Sequence, residues 1–251
     1  VRRLLPLVAV LAVGCQPKAD PPAVTTPAPV IPPQAVPMVS DSAWTWAYFF
    51  PADDLPRVEE ALAGKPHTVS EYRVDRVKTL TGTPGLAVRP GAKLVRVEAA
   101  ARFDVGGLKP LCAGVPQHLE YTSREQKEAL TSSRQPLPAS TETVVVLIPI
   151  RKSAAWWALP QDERAAHFRA RDGKAGHTAI GATYTDRVYR KLYHTRYAVE
   201  STDHDFLTYF EFETAHAVAF EQLLTELRDT TANPEWQYVD REYEIWMTKT
   251  K

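Results

Sequence analysis

At 251 residues and 44% hydrophobic content the chain is long enough for one or two domains with a substantial core. Its 30 Lys and Arg balance 30 Asp and Glu, so it lacks the basic excess with which proteins hold nucleic acid or an anionic membrane surface. Beyond Cys15 the one remaining cysteine is Cys112, in the apolar LKPLCAGVP. No disulfide can therefore brace the folded part, and packing must do so.

The chain opens with VRRLLPLVAVLAVGC. Two arginines precede an apolar run too short to span a bilayer, the pattern of an export signal. AVGC resembles a lipobox, so residues 1–15 are expected to be a lipoprotein signal peptide with Cys15 as the lipidated residue. An ordinary signal cleaved nearby is the competing reading. The expected location is the periplasmic side of a bacterial membrane, the outer membrane being favoured, with contact only through the lipid. Residues 16–40, rich in proline, read as a semi-rigid disordered tether.

The folded domain is expected over 41–251, starting with the aromatic strand WTWAYFF at Trp44. PADDLPRVEEALAG follows with an early proline, acidic first-turn residues and a closing glycine, all helix signals. EYRVDRVKTL and AKLVRVEAAARF alternate as half-buried strands and read as additional sheet edges. YTSREQKEALTSS is a short helix candidate. TETVVVLIPIRK has no polar face and reads as a central strand. DFLTYFEFETAHAVAFEQLLTELRD repeats strand, acidic turn and amphipathic helix, and WQYVDREYEIWM supplies a last strand. Two related α+β halves result, 41–145 and 146–251, each a sheet with helices on one face.

Two stretches carry the candidate chemistry. IPIRKSAAWWALPQDERAAHF runs from the central strand through adjacent tryptophans into a helix. Such a pair covers something flat and apolar, with plain core packing as the competing role. From His177 the chain reads HTAIGATYTDRVYRKLYHTRYAVESTDHDFLTYFEFE, with an arginine thirteen residues after the histidine. If helical throughout, this run would rise about 20 Å and leave His177 and Arg190 pointing about 140° apart. A bend or break near Gly181 is therefore expected if the two address one ligand. On chemistry alone any of the seven histidines is a candidate metal ligand.

Together these stretches resemble the haem-binding half of the chlorite dismutase family, over 115–247. The resemblance implies a pair of ferredoxin-like units in a dimeric α+β barrel arrangement, antiparallel sheets with helices on the outer face, and a haem b cofactor. It implies His177 as the iron's proximal ligand, since the family histidine precedes the arginine of RKL by thirteen residues. His194 is then structural, and His67, His118, His167, His204 and His216 match no ligand position. Glu235, in PEWQYV, falls where a glutamate accepts the histidine's outer N–H, and Lys152 where a lysine pairs with that glutamate. Trp156 and Trp157 are implied to line the haem, and Tyr121, in EYTSRE, to meet a propionate. Arg190 is implied to be the distal residue, retaining the oxychlorine fragment while chlorite becomes chloride and dioxygen. Arg190 and the export signal argue against the family branch that decarboxylates coprohaem. A homo-oligomer is implied, a ring of five in longer members. The alternatives are a periplasmic haem peroxidase and a non-enzymatic haem-binding or sensing lipoprotein.

Overall fold

The computed structural model describes residues 46–82, 86–99, 107–116, 124–125, 136–196 and 203–251. The expected signal with Cys15, the tether, Trp44, Tyr121 and all of YTSREQKEALTSS except Arg124 and Glu125 lie outside the described residues.

The apolar run 143–150 forms β5 (Thr143–Lys152), buried on both faces because Val145 and Leu147 point to one side and Val146, Ile148 and Ile150 to the other. It pairs antiparallel with β7 (Phe206–Glu213) and β8 (Val239–Lys249), and β6 (Tyr189–His194) lies beyond β7. The N-terminal half contributes β1 (Trp46–Pro51), β2 (His67–Thr81), β3 (Lys93–Ala99) and β4 (Cys112–Pro116). The order around the closed barrel is β1-β3-β2-β8-β5-β7-β6-β4. Taken alone, each half has the order fourth-first-third-second, the ferredoxin-like arrangement, so the fold is α+β with two such units.

The halves join at two seams. One is the long β2–β8 ladder from Tyr72↔Lys249 to Thr81↔Glu242. The other is the short β4–β6 contact at Val115↔His194 and Pro116↔Tyr193. Gly114 permits this second approach, because a Cβ there would lie 2.8 Å from both the His194 carbonyl oxygen and Tyr193 Cβ. EYRVDRVKTL and AKLVRVEAAARF are thus not extra edges: β3 is central between β1 and β2, and β2 closes the barrel on β8. Alternation reveals a half-buried strand but not its neighbours, and closure removes the edges.

α1 (Leu55–Ala61) covers the outer face of the first sheet through Val58, with Leu62 just beyond its end. The outer face of the second sheet carries α2 (Ala154–Ala158), α3 (Gln161–Phe168), α4 (Gly176–Ala182) and α5 (Ala217–Arg228). Phe220, Leu223, Leu224 and Leu227 of α5 recur at helical spacing and pack on Phe210, Phe212 and Trp246. This helix layer over β5, β6 and β7 positions the site.

Candidate active site

The chain reaches His177 through Gly176, at φ +73°, where a Cβ would meet the Arg169 carbonyl oxygen at 2.6 Å. This places His177 in the first turn of α4 with its ring buried beneath Phe168, 5.3 Å away between centroids. Nδ1 lies 3.0 Å from Glu235 Oε2. A carboxylate accepts, so Nδ1 carries the proton and Nε2 keeps its lone pair. Arg190 Nη2 donates to Nε2 at 2.7 Å. Burial, reinforced by the Arg190 charge, lowers the His177 pKa below its ordinary value against the pull of Glu235. The ring is therefore neutral at neutral pH.

Glu235 lies in a short 3-10 turn, Pro234–Tyr238, and is buried. Its Oε1 accepts from Lys152 Nζ. Burial opposes ionisation, yet Lys152 and His177 hold the carboxyl well below the usual carboxylate range. Lys152 ends β5 on the same outer face as Ile148 and Ile150, next to a register shift against β8. Its ammonium sits 5.1 Å from the Trp156 ring and 5.3 Å from that of Trp236.

His177 and Arg190 do not share a helix. α4 stops at Ala182, one residue past Gly181, residues 183–187 turn, and Arg190 stands on β6. The break brings Arg190 back onto His177. The side chain is partly buried, its Nε is inaccessible and finds no hydrogen-bond partner among the described residues, and desolvation lowers its pKa to about 10 despite Glu235. It remains a cation at neutral pH. Beside the pair is a small cleft between barrel and helices, walled by Ile148, Ile150 and Phe210 from the sheet, Leu224 and Leu227 from α5, and Trp236, with Thr208 as a further polar side chain.

The structure thus brings together His177, Glu235, Lys152 and Arg190. Trp156 and Trp157 are not among the residues walling the cleft. Ser153 caps α2 by accepting from the Trp156 backbone N–H, and the Trp156 ring is enclosed by His167, Phe168 and Tyr238 behind Lys152. Trp157 stacks on Phe206 and under Arg196. Trp236, which follows Glu235 directly, takes the wall position, and nothing in the spacing of PEWQYV sets it apart. His194 packs against Phe206, 4.7 Å between centroids, away from His177's partners.

Fold and site define a ferredoxin-like α+β barrel with a histidine-bearing cleft between its outer face and its helices. The chlorite dismutase family model matches residues 86–249, beginning upstream of β3 and so including strands where the sequence likeness is faint. The chlorite dismutase of Ideonella dechloratans is 29% identical over 122 residues, 48% of this chain and 39% of that relative, so the match spans about two fifths of the relative's length. Among solved structures, the dimeric chlorite dismutase of Nitrobacter winogradskyi is similar with 34% identity and a TM-score of 0.55, over 72% of this chain and 99% of that one. A variant of the chlorite dismutase of Candidatus Nitrospira defluvii shares the fold at 23% identity and TM-score 0.54, over 83% of this chain and 91% of that one. The chain belongs to the chlorite dismutase family.

Proposed function

We propose that the chain is a haem b oxidoreductase that converts chlorite to chloride and dioxygen, with His177 as the iron's protein ligand and Arg190 as the anion-binding residue. The observation that carries this reading is the continuous line Lys152, Glu235, His177, Arg190, a carboxylate-backed imidazole whose unprotonated Nε2 accepts from a partly buried guanidinium. The residues fit the cofactor. Nε2 is the unprotonated nitrogen, and Arg190 Nε is buried without an acceptor among the described residues. Among those residues no three His, Cys, Asp or Glu side chains converge as a metal site. Of the described residues His177 alone offers such a ligand there, and a porphyrin would supply the remaining positions around an iron. Seating a planar macrocycle there requires Arg190 to swing off Nε2.

When bound, haem iron supplies the redox capacity that chlorite cleavage needs. The chain's own residues do the rest. Glu235 accepts the Nδ1 proton, fixing the tautomer and raising the basicity of Nε2. Lys152 keeps Glu235 ionised. Arg190, charged and with several N–H donors, binds a small oxyanion and retains its chlorine-bearing fragment, and the apolar wall limits water.

The test is an absorption spectrum of the purified chain with haem supplied, followed by an oxygen-electrode assay with chlorite. A Soret band and one dioxygen per chloride are expected. Peroxide-driven dye oxidation without oxygen release would instead make it a peroxidase, and stable haem binding with neither activity a carrier or sensor. We further propose an exported lipoprotein anchored through Cys15; Cys15→Ser should abolish incorporation of labelled palmitate. A homo-oligomer completes the proposal, with light scattering separating the dimer described for the Nitrobacter relative from a ring of five.

A further inference from the structure

A second buried carboxylate stands one step behind the line just described. Asp205 closes the YAVESTDHD loop, leads into β7 and is 4% exposed. Its Oδ2 accepts the Lys152 backbone N–H at 2.7 Å and Trp157 Nε1–H at 3.3 Å, and its Oδ1 accepts from Arg196 Nη1 at 3.0 Å. The β5–β7 ladder ends at Ile150↔Phe206. Lys152 points the same way as Ile150 along the strand but has no strand residue left to receive its N–H. The Asp205 carboxylate takes that place, while its own backbone N–H donates to the Ile150 carbonyl oxygen at 2.8 Å. On the far side the pairing with β8 shifts between Arg151 and Lys152 but resumes at Lys152↔Val239, and Ser153 N–H donates to the Tyr238 carbonyl oxygen at 2.8 Å. On its β7 side Lys152 is thus held by the Asp205 carboxylate, through its own N–H.

We propose that Asp205 is a positioning residue: by holding the Lys152 backbone at the end of β5 it aims Nζ at Glu235 and so sets the hydrogen bond that Glu235 receives from His177. The proposal rests on the reading of His177 as cofactor ligand for its consequence, though not for its geometry. Arg196 accompanies the Asp205 charge, so the effect on Lys152 passes through a directional bond to a neutral N–H. The same oxygen receives Trp157, which ties the tryptophan pair to Lys152 and gives that pair a role away from the cleft wall.

The experiment uses the full chain with and without added haem. Proton NMR follows the exchange of the His177 Nδ1–H with water, and titration gives haem affinity. Asp205→Ala should speed that exchange and lower haem affinity about ten- to a hundredfold, the usual cost of losing an outer-shell partner. Asp205→Asn keeps an acceptor oxygen and should stay close to the parent. Arg196→Met, which removes the accompanying charge and the guanidinium over Trp157 but leaves the Asp205 oxygen on the Lys152 N–H, should leave the exchange unchanged. Adding Asp205→Ala to Lys152→Met should cause no further loss. Unchanged exchange in Asp205→Ala, equal damage from Arg196→Met, or additive losses would overturn the proposal. Should Asp205→Ala fail to fold, hydrogen exchange at the Lys152 amide of the parent decides, since an unprotected amide also overturns it. If the parent takes up no haem, the functional reading falls while the Nδ1–H measurement still judges Asp205.

Discussion

His177 owes its properties to two residues that never reach the cleft. Glu235 fixes which ring nitrogen is free, and Lys152 keeps Glu235 charged although both are buried. Removing one member of such a pair leaves an uncompensated charge, so Glu235→Gln should cost about 3–5 kcal/mol in urea denaturation. The double variant Glu235→Gln/Lys152→Met should recover part of that loss. His177→Ala should abolish the Soret band of the haem-loaded chain, whereas His194→Ala should keep it. Arg190→Ala should retain haem but lower chlorite turnover about 10²- to 10³-fold, the scale of losing one donor that acts in the transition state. That Lys152, Glu235, His177 and Arg190 would meet was legible because the family pattern orders them; chemistry alone left seven histidines open. Asp205 and Trp236 were not legible, since one acts through a main-chain N–H and the other through wall position, and neither leaves a spacing signal.

At the scale of the element, the decisive feature is how abruptly α4 begins and ends. It begins at a glycine in the left-handed region, pressed on the Arg169 carbonyl, so any side chain at Gly176 must push the first turn outward and His177 with it. Gly176→Ala should therefore cost about 1–2 kcal/mol from the backbone alone, with more from the contact. Weaker haem uptake should accompany the lower melting temperature; unchanged uptake would show that the turn does not set the histidine. The helix ends in Thr183–Arg187, where Thr183 and Thr185 hydroxyls donate back to the carbonyls of Ala179 and Ala182. Such local bonds compete with helix continuation. The run from His177 looked helical because its apolar residues are spaced for one turn. Geometry required a break near Gly181, but not that Arg190 would stand on a strand.

At the scale of the fold, the described strands close into a ring in which each half supplies the other's missing neighbours. The repeat of strand, helix and strand was legible in DFLTYFEFETAHAVAFEQLLTELRD, and β5 was legible as central from its apolar run. Closure was not, because β2–β8 joins residues about 170 positions apart and pairing partners at that separation leave no local pattern. Packing so many elements around one site buries several ionisable groups, which links the stability of the whole fold to pH. Burial lowers the His204 pKa to about 4 despite Asp203 and Asp205, and both its ring nitrogens lack hydrogen-bond partners among the described residues. His177 shifts in the same direction. In the unfolded chain a histidine takes up a proton near pH 6.5, so between that value and the folded pKa the unfolded state binds more protons. Stability is then complete above about pH 6.5 and declines as pH falls, by about 1.4 kcal/mol per pH unit for each such group and about 3 kcal/mol in all for His204. Glu235, also depressed, extends the loss below the ordinary carboxylate pKa near 4.3. His204→Phe fills the same space without a site for the proton. Urea unfolding of the full chain from pH 8 to pH 4.5 should show the slope of stability against pH reduced by about one proton in the variant. An unaltered slope would mean that His204 takes up its proton equally in the folded and unfolded chain, and that the acid sensitivity of the fold arises at other depressed groups such as His177, His167 and Glu235.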